Sequence, residues 1–146
     1  LELCILRLND VDIENWIIIG GMKTEAGKGR RVPVNEKIRG LVKEAFEIAK
    51  AEGSETLFIC KDSKSKSIKM TYDKYRDRFD KIIEDLKLNS EHRPHDPRKT
   101  FVTLCKKAGV DEYAIKYLAG HYIKDLTERV YTDREIEWLR AEISKI

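Results

Sequence analysis

Apolar residues recur at helical spacing in three stretches of the chain. Residues 36–51 and 72–86 each place their apolar side chains on one face of a helix, and residues 136–146 show the same pattern with a stripe of isoleucine and leucine. This spacing predicts three amphipathic helices. Gly53 is positioned to end the first of them and Thr71 to cap the second.

Short β-branched runs near the start of the chain predict a small sheet. Residues 10–13 and 16–19 flank a turn signal at Glu14 and Asn15, and a third run at residues 30–34 follows a glycine-rich connection. Three such runs predict three antiparallel strands. The fold class that follows is α+β: a mainly helical domain with a small three-stranded antiparallel sheet on one edge.

Capping residues mark two further helices in the second half of the chain. Asp96 suits a helix N-cap and Pro97 the first helical position, so we expect a helix that begins there and ends at Gly109. Asp111 is positioned to open the next helix, and Gly120 to stop it.

Composition limits the class of protein. With 146 residues, 41% hydrophobic and 38% charged, the chain fits one soluble globular domain with no apolar run long enough to span a membrane. Its 3 cysteines are far apart and form no CxxC pair, so neither a disulfide framework nor a zinc site is indicated. A reducing cytoplasm is the expected location.

Charge is distributed unevenly along the chain. Residues 20–39 carry six Lys or Arg against two acids, residues 61–78 carry seven against three, and residues 111–146 carry six against eight. Basic segments beside an acidic end indicate one face that meets a polyanion, and a solvated helix surface is the alternative.

Candidate chemistry is concentrated between His95 and Tyr131. Arg98 falls in the first turn of its predicted helix, where free N–H groups and a guanidinium together make an anion site, and His95 lies just ahead of that turn. His121 follows the glycine that ends the next helix, and residues 123–129 predict a short helix that leaves Tyr131 near its end. A tyrosine can serve as a nucleophile, so these residues suggest the handling of a phosphodiester without metal.

The order and spacing of these residues resemble the catalytic domain of tyrosine recombinases, the phage integrase family. The His95-x-x-Arg98 pair, the Leu-Ala-Gly-His sequence that ends at His121, and Tyr131 ten residues further on follow the family's pattern. The resemblance covers the whole chain. It implies a site-specific recombinase from a phage or conjugative element, which cleaves and rejoins DNA strands with no cofactor, metal or ATP.

The resemblance also implies a role for each residue. Tyr131 would attack the phosphate to form a 3′-phosphotyrosyl link, while Arg98 grips a non-bridging oxygen bidentately and His121 donates a hydrogen bond to the same phosphate. His95 would accept the tyrosine proton or bind the phosphate, since its pKa suits proton transfer. Lys23, in the predicted hairpin, would protonate the departing 5′ oxygen.

Double-stranded DNA is the expected partner. Lys28, Arg30 and Arg31 are candidates for phosphate contact, as is Lys99, which stands where many family members have histidine. The family implies a homotetramer on two DNA sites, with the chain a monomer by itself. The final helix either docks on a neighbour or packs within its own domain.

The start of the chain matches only part of a family motif. Glu2 and Leu3 fit the end of Arg-x-x-Glu-Leu, which places the expected arginine two positions before Leu1. Residues 1–146 therefore read as a catalytic domain truncated at its N-terminus, without N-terminal DNA-binding domains. We expect this chain alone to cleave DNA poorly or not at all, and a polypeptide extended upstream to be active.

Other interpretations of the same residues stay open. Taken singly, His95 fits a capping residue, Arg98 a salt bridge, Tyr131 ring packing, His121 a helix-end cation and Lys23 a solvated turn. The rival functions are a nicking topoisomerase of related chemistry, a non-catalytic DNA-binding module on the same scaffold, and a small phosphoesterase, which the lack of metal-ligand clusters disfavours.

Overall fold

Helices dominate the architecture, and a small sheet lies beside them. The computed structural model describes residues 2–21, 29–61, 67–123 and 136–146. Within these residues two short 3-10 helices (Glu2–Ile5 and Leu8–Asp10) come first. The strands β1 (Val11–Asp12), β2 (Ile17–Gly20) and β3 (Arg30–Pro33) follow, and then the α-helices α1 (Glu36–Ala51), α2 (Tyr72–Asp85), α3 (Asp96–Lys107), α4 (Glu112–Ala119) and α5 (Ile136–Ile143). The predicted α+β fold is confirmed.

The sheet is antiparallel, as predicted, and its strand order is β1-β2-β3. The turn between β1 and β2 is fixed by Asp12, whose carboxylate accepts hydrogen bonds from the N–H groups of Glu14 at 3.0 Å and Asn15 at 2.8 Å. Strand β2 then pairs with β3 so that Gly20 faces Arg30. The register brings the arginine that opens β3 next to the glycine that closes β2.

Helix caps follow the local sequence closely. The Thr71 hydroxyl accepts from the Lys74 N–H at 3.3 Å, and the Asp111 carboxylate accepts from the N–H of Tyr113 at 2.9 Å. Both predicted caps are confirmed, because short polar side chains satisfy N–H groups that a helix start leaves free.

One predicted cap is wrong by a residue. Helix α3 includes Asp96, and His95 occupies the N-cap position without a side-chain cap. The Asp96 carboxylate turns backwards and accepts a hydrogen bond from the Arg93 N–H at 2.9 Å. It therefore closes the turn ahead of the helix.

A short helix was also predicted at residues 123–129. Apart from residue 123, this segment lies outside the described residues.

Two apolar clusters form the core. The first joins α3, α4 and α5, and the second joins the sheet, α1 and Leu57. Leu139 and Ile143 of the predicted final stripe are buried in the first cluster, so α5 packs within its own chain. No helix in the described ranges is long and apolar enough to cross a membrane.

Candidate active site

Arg98 connects two helices at the centre of the candidate site. It lies in the first turn of α3, where its side chain is half-buried, and its Nη1 donates a hydrogen bond to the carbonyl oxygen of Ala119. Ala119 is the last residue of α4. The contact brings the His-x-x-Arg segment against the turn that carries His121, although 21 residues separate the bonded pair.

The turn after α4 has a geometry that requires glycine. Gly120 adopts φ +69°, its N–H donates to the Tyr117 carbonyl at 3.0 Å, and the His121 N–H donates to the Lys116 carbonyl at 2.8 Å. This is the Schellman arrangement, in which a left-handed residue ends the helix. The predicted stop at Gly120 is confirmed, and it leaves His121 exposed one residue beyond the helix.

A charged carboxylate stabilises the turn that presents His95. Besides the Arg93 N–H, Asp96 binds the Lys99 ammonium at 3.1 Å. The hydrogen bond from the Arg93 N–H and, after it, the one from Lys99 lower the pKa of Asp96 to about 2. Asp96 therefore stays ionised near neutral pH. His95 itself is exposed, and its carbonyl accepts the Arg98 N–H at 3.2 Å.

A cavity of about 440 Å³ lies at the start of α3. His95 and Arg98 line it together with Arg30, Glu2 and apolar residues that include Leu118. Two guanidinium groups thus face the cavity with one carboxylate. Guanidinium forks bind phosphate oxygens in pairs, so the cavity suits a phosphodiester oxyanion.

Glu2 and Arg30 form an ion pair inside this cavity wall. Arg30 Nη2 lies 3.3 Å from Glu2 Oε1, and the Arg30 side chain is only 11% exposed. Glu2 Oε1 also accepts the Gly21 N–H at 2.7 Å. From the sequence we used Glu2 only to locate a motif, and we did not predict its role as the partner of Arg30. Its place in that motif was the signal that pointed to it.

Five predicted site residues remain, of which two are exposed and three lie outside the described residues. The Lys99 side chain is 75% exposed and Arg31 is exposed as well, so both face solvent. Lys23, Lys28 and Tyr131 lie outside the described residues. The structure thus brings together His95, Arg98 and the turn of His121, and the roles of all these residues stay predictions.

Cysteine and acidic residues contribute no metal site in the described ranges. There, no group of three or more His, Cys, Asp or Glu side chains is arranged to hold a metal ion. Cys4, Cys60 and Cys105 are free and buried, and burial raises the pKa of the Cys105 thiol.

The fold and the cavity define a mainly helical α+β domain in which two arginines, Arg30 and Arg98, line one cavity. A sequence model described as the phage integrase family matches residues 1–137, and the chain belongs to that family, the tyrosine recombinases.

Two curated proteins show the same relationship. The chain is 29% identical over 155 aligned residues to tyrosine recombinase XerA of Pyrococcus horikoshii, covering 99% of this chain and 48% of that protein. It is 28% identical over 145 residues to tyrosine recombinase XerA of Saccharolobus solfataricus, covering 99% of this chain and 44% of that protein. The chain thus spans about half the length of these relatives. No solved structure matches it significantly.

Proposed function

We propose that residues 1–146 form the catalytic domain of a site-specific DNA recombinase that cleaves and rejoins strands through a 3′-phosphotyrosine intermediate. Family membership supports a recombinase. The observation that carries the proposal is the hydrogen bond from Arg98 to Ala119, because it brings the Arg98 guanidinium next to the turn of His121, where both could bind one phosphate. Arg98 belongs to α3 and lines the cavity, and Ala119 ends α4 just ahead of His121.

Each step of the proposed reaction has a group suited to it. A phosphodiester resists attack because it is anionic and its alkoxide leaving group is poor, so donors on its non-bridging oxygens lower the barrier most. Arg98 and the N-terminus of α3 supply such donors, with His121 beside them. His95, exposed at the same helix start, takes the proton of Tyr131 or binds the phosphate. Lys23 protonates the leaving 5′ oxygen, and neither metal nor ATP takes part.

Double-stranded DNA is the proposed partner, and four protomers on two DNA sites are the proposed assembly. The exposed cations Lys99 and Arg31 are suited to phosphate contact, and Lys28 is a further candidate. Backbone contacts of this kind make binding fall steeply with salt. A phage or conjugative element is the proposed source of such an enzyme.

A nicked suicide substrate tests the proposal, because cleavage releases a short oligonucleotide and traps the covalent adduct even when cleavage is slow. We expect a longer polypeptide that contains residues 1–146 to form an adduct, and residues 1–146 alone to form little or none. Tyr131→Phe in the longer polypeptide should form no adduct while it still binds DNA. Tyr122→Phe, at a tyrosine that is 62% exposed, is the matched control and should retain the adduct. Binding by the longer polypeptide without any adduct would instead identify a non-catalytic DNA-binding module.

A further inference from the structure

Arg30 lies where the sheet meets the candidate active site. It opens β3, and its partner across the ladder is Gly20 at the end of β2. Because side chains alternate along a strand, Arg30 and Val32 share one face and Arg31 takes the other. Val32 packs on the cluster formed by α3, α4 and α5, whereas Arg31 is exposed. The guanidinium of Arg30 is therefore directed inward, toward α4.

Two glycines make room for the Glu2–Arg30 pair. A Cβ at Gly120 would lie 2.7 Å from Arg30 Nη1 and 2.9 Å from its Cζ, closer than heavy atoms normally approach. At Gly20 a Cβ would lie 3.1 Å from Glu2 Oε1. The guanidinium thus fills the space that a side chain at residue 120 would need. It is held there by a carboxylate that is itself fixed by the Gly21 N–H.

The turn next to the Arg30 guanidinium contacts or contains both candidates for phosphate binding, Arg98 and His121. Its first residue, Ala119, supplies the carbonyl that anchors Arg98, and its last, His121, is the proposed hydrogen-bond donor. A shift of Gly120 would therefore move His121 and release the Arg98 anchor together. Misplacement by about 1 Å at a distance from the chemistry can slow an enzyme about 100-fold.

We propose that Arg30 is a positioning residue of the active site. Its guanidinium, balanced by Glu2, fixes the turn of Ala119, Gly120 and His121, and through that turn it orients Arg98 and His121. The catalytic part of this inference rests on the function proposed above. A direct phosphate contact by Arg30 would require the guanidinium to leave Glu2 and emerge from a site where it is only 11% exposed.

The first test needs no DNA. Arg30→Lys keeps the positive charge but lacks the planar fork that reaches both Glu2 and Gly120. Arg31→Lys, on the next residue and the opposite face, is the matched control. We expect the imidazole ring resonances of His121 in the folded protein to move in Arg30→Lys and to stay in place in Arg31→Lys, with those of His92 unchanged in both. Unmoved His121 resonances in folded Arg30→Lys would overturn the proposal.

The second test separates positioning from DNA contact. With the nicked substrate, we expect Arg30→Lys to lower the rate of adduct formation in the bound complex about 10- to 100-fold, while DNA affinity changes less than about 2-fold. A phosphate contact would instead weaken binding and reduce the salt slope by about one, with the rate in the bound complex unchanged. That result would overturn the positioning role.

A second variant keeps the proposal testable if Arg30→Lys does not fold. Glu2→Gln retains an oxygen for the Gly21 N–H but removes the charge that holds Arg30, so the same shift of His121 and the same fall in rate are expected. If the longer polypeptide forms no adduct, the proposed function fails, whereas the His121 resonances still decide whether Arg30 fixes the turn.

Discussion

The Glu142 carboxylate accepts the N–H of Asp111 at 2.7 Å, joining the last helix to the start of α4 across 31 residues. Glu142 is 8% exposed and also binds the Lys145 ammonium at 2.8 Å. Burial raises the pKa of Glu142, but the hydrogen bonds from Lys145 and from the Asp111 N–H outweigh it and leave the pKa lowered. This contact holds α5 against its own chain.

Removing that carboxylate should destabilise the domain. Glu142→Ala leaves the Asp111 N–H without its acceptor, at a cost of about 1–3 kcal/mol in the free energy of unfolding. Glu137→Ala is the control on the same helix, since the Glu137 side chain is 72% exposed and should matter by less than about 0.5 kcal/mol. Urea unfolding measures both, and equal losses would refute the role of Glu142.

The contact between the Glu142 carboxylate and the Asp111 N–H predicts that the free energy of unfolding depends on pH. Because folding lowers the pKa of Glu142, its contribution to stability is present above the unfolded value of 4.5 and is lost as pH falls through the lower, folded value. The difference in unfolding free energy between the native chain and Glu142→Ala should therefore be constant near neutral pH and shrink below about pH 4.5. A difference that grows on acidification would contradict the assignment.

Local signals in the sequence account for most of the fold. The cap at Asp111, the stop at Gly120 and the turn at Asn15 depend on backbone groups a few residues away, so they could be predicted from neighbours alone. The N-cap prediction at Asp96 was wrong. An Asp-Pro pair suits an N-cap, but the Asp96 carboxylate accepts a hydrogen bond from the Arg93 N–H, which precedes the helix. That choice depends on the path of the loop ahead of α3.

The candidate site was less accessible to sequence reasoning, because its decisive contacts are distant in the chain. Arg98 meets Ala119 across 21 residues, through a backbone carbonyl that no side-chain pattern can indicate. Arg30 was predicted to be a phosphate contact because it lies in a basic segment, and nothing in that segment indicated its ion pair with Glu2, which lies 28 residues earlier in the chain. An apolar stripe likewise shows that the last helix is buried, without showing against what.

Replacing Arg98 should impair chemistry more than binding. Arg98→Lys keeps the charge but loses the bidentate grip, and we expect the rate of adduct formation to fall about 100- to 1000-fold in the bound complex. Arg93→Lys, at an exposed arginine ahead of the same helix, is the control and should change the rate little. Single-turnover assays at saturating protein measure the rate, and an unchanged rate in Arg98→Lys would remove it from the site.

Asp96 should matter for stability only while it is ionised. Asp96→Asn still accepts the Arg93 N–H but loses its charge beside Lys99, so it should unfold more easily at neutral pH. The folded pKa of about 2 lies below the usual value of 3.8, so this advantage of the native chain is present above pH 3.8 and disappears toward pH 2. Denaturant unfolding of both proteins across this range measures it. Asp77→Asn, on α2, serves as the control, and a gap that persists unchanged at pH 2 would rule out the carboxylate as its cause.

Replacing Gly120 by alanine tests the turn that carries His121, and the same replacement at Gly53 is the matched control. Both have positive φ, +69° and +63°, but a Cβ at Gly53 would meet nothing within 4 Å, whereas at Gly120 it would meet the Arg30 guanidinium. Gly53→Ala should cost about 1–2 kcal/mol of stability from backbone strain alone. Gly120→Ala should cost at least as much and should also displace Arg30, so we expect it to slow adduct formation where Gly53→Ala does not. Unfolding and single-turnover cleavage measure the two effects, and equal cleavage rates in both variants would show that the turn tolerates movement of Arg30.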